Sequence, residues 1–71
     1  MTEITIRDEF IKLGQLLKLS GLVDSGVDAK FCIQEGEVLV NNEVCTMRGK
    51  KIYPGDVVTF NGESVTVIND N

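Results

Sequence analysis

Residues 12–44 read KLGQLLKLSGLVDSGVDAKFCIQEGEVLVNNEV, and the punctuation of this stretch decides the fold. Leu13, Leu16 and Leu17, with Phe10 ahead of them, fall on one stripe at about 100° per residue. Ile11, Gln15 and Lys18 fall on the other side. Gly21 follows the run and suits a helix C-terminal cap. Upstream, Asp8 offers a capping oxygen and Glu9 complements the positive helix end, so a first helix is expected over Asp8–Ser20. The link Leu22-Val23-Asp24 is short. Ser25 is a good N-cap with Asp28 three residues on, and a second helix is expected to run to Glu35, closed by Gly36. Its inward stripe is Ala29, Cys32 and Ile33, and small Ala29 lets the two helices cross closely. Two short helices on a tight turn make a helix-turn-helix-like hairpin.

Beyond Gly36 the apolar period drops to two. Val38–Val40 and Glu43–Cys45 read as strands joined at Asn41-Asn42, a pair that tolerates left-handed backbone. Thr46 to Lys51 is a polar, basic loop. Ile52-Tyr53 resumes an apolar pair, and Pro54-Gly55 predicts a type II turn. Val57–Phe60 and Ser64–Ile68 flank Asn61-Gly62, a strong hairpin signal. At the other end, Glu3–Arg7 alternates like a short strand and is a candidate to join the sheet. The expected class is α+β: a two-helix hairpin packed on a small antiparallel β-sheet, with residues 1–71 forming one domain.

Composition narrows the function. The chain has 71 residues, too few for a deep catalytic cleft beside a core. No apolar run approaches the roughly 20 residues of a membrane span, and the acidic start has no signal-peptide core, so a cytoplasmic location is expected. There is no histidine, and Cys32 and Cys45 are far apart, so a metal site is not expected and both cysteines read as buried free thiols. No nucleophile–base pair, phosphate loop or dinucleotide motif appears, which points away from an enzyme and from any cofactor. The net charge is −4, but it is unevenly spread. Residues 12–51 carry six cations against five carboxylates, and the flanks carry one against six. RNA binding needs a local basic surface rather than a basic total.

Taken in order, Leu13, Leu16, Gly21, Ser25, Ala29, Cys32, Ile33, Gly36, Val38, Val40, Asn41, Gly55 and Asp56 resemble the ribosomal protein S-four-type RNA-binding domain, whose core is the αL motif. The likeness covers about residues 11–60. Arg48–Ile52 also resembles the loop of the small stand-alone bacterial members, the YaaA/YbcJ type. This resemblance implies binding to structured RNA, with ribosomal RNA a candidate, through the outer side of the helices and the following β-loop. It maps a basic family position onto Lys12. It also puts two departures on view: Gly14 stands at an acidic family position, and Gly26 stands where the family usually has Arg. Lys30, one turn beyond Gly26 on the same helix side, is placed to take over that charge.

The candidate RNA-binding residues are therefore Lys12, Lys18, Ser25, Lys30, Arg48, Lys50 and Lys51. Arg48 suits a bidentate phosphate contact, and the lysines act as point charges. A plain reading stands beside each one: solubilising helix lysines, a solvated polar loop, and Ser25 as an N-cap only. Val27 and Phe31 form an off-stripe apolar pair expected to be buried by a strand. Tyr53 is expected to be a half-buried strand residue, and Asn41 and Asn42 to be turn formers. The rival function is a protein–protein module on the same fold, with a protein rather than RNA as partner. A monomer is expected.

Overall fold

The computed structural model describes residues 2–70. In chain order the elements are β1 (Thr2–Ile6), β2 (Ile11–Lys12), α1 (Leu13–Leu19), α2 (Gly26–Gln34), β3 (Val38–Val40), β4 (Glu43–Val44), β5 (Lys51–Ile52), β6 (Val57–Phe60) and β7 (Glu63–Asn69). A five-stranded sheet runs in the order β1-β7-β6-β3-β4, and β2 and β5 form a separate two-stranded ribbon. The architecture is α+β, as expected, but the larger sheet is mixed. Every pairing in it is antiparallel except β1 with β7, which is parallel, with Ile4 opposite Val67. The connection from β1 through both helices re-enters the sheet at β3, and the antiparallel steps β3–β6 and β6–β7 then bring β7 alongside β1 in the same direction, which a hairpin between the two could not do.

One core joins these layers. Leu13, Leu16 and Leu17 of α1 meet Ala29 and Ile33 of α2 over Val38, Val58, Val65 and Val67 of the sheet, all of them buried. Ala29 is wholly enclosed, consistent with its expected place where the helices cross. Gly21 and Gly36 take the helix-ending positions, with φ of 80° and 77°. Asn61 and Gly62 both have positive φ, the backbone of a tight hairpin turn. The Asp56 N–H donates to the Tyr53 carbonyl at 2.9 Å across Pro54-Gly55, closing the expected turn.

The start of α1 departs from expectation. Asp8 caps nothing, and the helix begins at Leu13. Ile11 and Lys12 are extended and pair with Ile52 and Lys51. The first helical donors go to the basic loop instead: Leu13 N–H donates to the Lys50 carbonyl at 2.9 Å, and Gly14 N–H to the Arg48 carbonyl at 3.1 Å. Free N–H groups at a helix start must find acceptors, and here a segment more than thirty residues away supplies them. The ribbon also helps enclose Ile52, which is fully buried, and places Ile11 against the core.

Asn41 adopts φ 51° and does more than turn the chain. Its amide donates to Asp56 Oδ1 at 3.1 Å, and its oxygen accepts from the Val57 N–H at 2.9 Å. Asp56 Oδ2 accepts from the Tyr53 N–H at 2.8 Å. Both cysteines are free, but they are half-buried rather than buried. No helix among the described residues is long and apolar enough to cross a membrane.

Candidate nucleic-acid interface

The β2–β5 ribbon sets two lysines face to face. Lys12 lies directly opposite Lys51 in the antiparallel register, and both are exposed. Like charges in such a pair weaken a sheet. Neither forms an ion pair with a carboxylate of the described residues, among which the only side-chain ion pair is Arg7 with Asp70, at 3.5 Å. Lys51 is held in part by an aromatic ring: its Nζ lies 4.9 Å from the centre of Phe10.

Lys12 also borders a groove of about 440 Å³, where the starts of both helices meet the loop at Arg48 and Gly49. Lys12, Lys18 and Arg48 supply its charge, and Gly26 lies on its α2 side. Gly14 is the seat for Arg48, since a Cβ at Gly14 would lie 2.9 Å from Arg48 Cγ. This departure from the family pattern therefore has a local physical use: a bare backbone lets the arginine cross close over α1. Backbone bonds and side-chain packing together anchor the loop to the helix start.

Ser25 immediately precedes Gly26, and its Oγ accepts from the Asp28 N–H at 3.2 Å, the N-cap bond expected of it. Lys30 stands one turn beyond Gly26 on the exposed side of α2. Gln15, absent from the expected residues, lines the same groove. Its signal was present in the sequence: Gln15 lies three residues before Lys18, a spacing that keeps helix side chains on one face.

The loop cations do not stay together. Arg48 faces the first groove, whereas Lys50 and Lys51 line a second, of about 520 Å³, on the other side of the loop. Val44, Met47 and Tyr53 share this second groove. The expected single loop cluster is thus split, because Arg48 settles over Gly14 and the chain then straightens into β5. Lys12 ties the halves together, bordering the first groove while pairing with Lys51 of the second.

Two expectations about apolar residues are corrected. Val27 is 77% exposed and Phe31 61% exposed, so no strand covers them. The strands expected as cover, the N-terminal one or the last, pair with each other instead, β1 with β7 at the edge of the sheet. Tyr53 is 43% exposed, half-buried as expected, but it lies just past the end of β5 rather than in a strand, and its ring meets Phe10 with centres 5.9 Å apart.

A family model described as the S4 domain, the S-four type named above, matches residues 4–68. The chain belongs to the S4 domain family. Among its relatives, a protein named "Probable ribosome maturation protein RlbA" from Bacillus subtilis (strain 168) is 49% identical over 67 residues, covering 93% of this chain and 94% of the relative. A "Putative RNA-binding protein YbcJ" from Escherichia coli (strain K12) is 45% identical over 58 residues, covering 82% of this chain and 83% of the relative. The solution structure of YbcJ from E. coli, described as revealing an "alfaL motif involved in RNA-binding", superposes with a TM-score of 0.74 at 39% identity, over 96% of this chain and 87% of that one. The αL core expected from the sequence is thus matched in fold as well as in family.

Proposed function

We propose that this S4 domain protein is a non-catalytic RNA-binding protein that docks on structured RNA of the ribosome or its precursors. In this reading it acts in the cytoplasm, as a monomer and as one unit over its whole length. The observation that carries the reading is the cross-strand Lys12–Lys51 pair, in no ion pair among the described residues, beside the Arg48 groove. A sheet that sets two lysines opposite one another loses stability, and a polyanion removes that penalty. Lys12, Lys18 and Arg48 would take phosphates of one strand, Arg48 through its planar fork. Ser25 and Lys30 border that path at the start and outer side of α2, and Lys50 and Lys51 extend it past the loop. A-form RNA presents phosphates and 2′-hydroxyls rather than readable base edges, so docking of this kind is by shape and charge. The names of the relatives, one a ribosome maturation protein and one an RNA-binding protein, support the same reading.

The test is retention of a structured ribosomal RNA fragment, measured by mobility shift. Changing Arg48, Lys50 and Lys51 together to Ala is expected to abolish binding while circular dichroism stays native. A folded triple variant that binds as well as the parent protein refutes the site.

A further inference from the structure

The second groove holds a combination that phosphate docking alone does not use. Val44 is 59% exposed, Met47 65% and Tyr53 43%, and all three line it with Lys50 and Lys51. Apolar and aromatic side chains left open beside paired cations match the parts of a single nucleotide, with a flat apolar base beside a charged phosphate. Tyr53 is also braced. Phe10 meets it at 5.9 Å with the rings tilted by 50°, and its own N–H is tied to Asp56. A platform fixed in this way loses little freedom when a base stacks on it. The carboxylate of Asp56, which also lines the groove, is engaged by the Tyr53 N–H and the Asn41 amide. Glu43 is the remaining acid of the lining, so the phosphate belongs at the Lys50–Lys51 end.

We propose that the groove of Val44, Met47, Lys50, Lys51 and Tyr53 takes an unpaired nucleotide, whose base stacks on Tyr53 and whose phosphate meets Lys50 and Lys51. This rests on the RNA-binding reading and deepens it. The helical part of the RNA lies along the Lys12–Lys18–Arg48 groove, and the loop between the grooves sits where the duplex ends. The preferred RNA is therefore a stem with a bulge, junction or single-stranded extension, rather than an uninterrupted duplex. Base stacking on aromatic rings is sequence-tolerant, so the preference is for an unpaired base of any kind.

The chain makes the test direct, because Tyr53 is its one tyrosine and it has no tryptophan. Two RNAs are compared: a blunt hairpin, and the same hairpin with a short unpaired extension. The extended RNA is expected to quench tyrosine fluorescence and to bind roughly tenfold tighter, the gain of one stacked base. Tyr53→Ala is expected to remove that preference and leave the blunt-hairpin affinity unchanged, while Tyr53→Phe keeps it. An extension of abasic nucleotides is expected to bind like the blunt hairpin. Equal binding of both RNAs by the parent protein, or a preference that survives Tyr53→Ala, overturns the nucleotide site and leaves the RNA-binding reading standing. Failure to bind either RNA overturns both.

Discussion

Replacing Lys12 with Ser is expected to make the protein more stable and a worse RNA binder at once. Two effects act on stability. The change removes one of two like charges held directly opposite each other, and relief of such a pair gives about 0.2–1 kcal/mol. It also places a hydroxyl at the N-cap of α1, where Lys12 makes no side-chain cap bond and already has the extended backbone a cap requires, with φ −74° and ψ 145°. The Gln15 N–H is the donor in reach, and a new cap adds about 0.5–2 kcal/mol. A combined gain of about 1 kcal/mol or more raises Tm by roughly 4–8 °C in a domain of this size. RNA binding moves the other way. One lost phosphate contact lowers the slope of log affinity against log salt by about 0.9, which at about 0.1 M salt is roughly an eightfold weakening. Calorimetry or thermal circular dichroism reads the first effect, and anisotropy with a labelled RNA hairpin over a salt series reads the second. A fall in Tm refutes the cross-strand repulsion. An unchanged affinity and salt slope refute the placement of Lys12 in the interface.

Three further outcomes follow from the same geometry. Gly26→Arg places a cation where a Cβ meets nothing within 4 Å, and it should tighten RNA binding and steepen the salt slope by about 0.9; an unchanged slope would place Gly26 outside the RNA path. The double change of Val27 and Phe31 to Ser should alter stability by no more than about 0.5 kcal/mol in urea unfolding, because both side chains are exposed, whereas a loss of several kcal/mol would mean that they are buried after all. Partial burial first, then the Glu37 and Asp28 carboxylates, raise the Cys32 thiol above its ordinary value, so alkylation of Cys32 near pH 8 should lag behind that of a small thiol peptide. Removing a neighbouring negative charge lowers that value and enlarges the thiolate fraction, so Glu37→Gln should speed the reaction; mass spectrometry of the modified peptide reports both rates.

Much of the fold could be read locally. The stripe of Leu13, Leu16 and Leu17, the Ser25 cap and the Asn61-Gly62 turn each depend on residues a few positions apart, and the physics of helix periodicity, capping and left-handed backbone operates at that range. The same holds for the S4 family pattern, which is an order of such local signals. The candidate cations were legible as residues, but their arrangement was not. Local pattern put Arg48, Lys50 and Lys51 in one cluster, and the structure divides them between two grooves.

What tertiary structure alone decided are the contacts between distant segments. Asp8 carries every local mark of a helix cap, yet α1 starts at Leu13, because the carbonyls of Arg48 and Lys50 satisfy its first donors and Ile52 pairs with Ile11. Val27 and Phe31 were expected to lie under a strand, and they are exposed because the first and last strands, β1 and β7, pair with each other rather than crossing α2. Propensity and periodicity describe a residue against its near neighbours along the chain. Which donor meets which acceptor across some forty residues is settled only when the whole core closes, and on that closure the meeting of Lys12 with Lys51 depends.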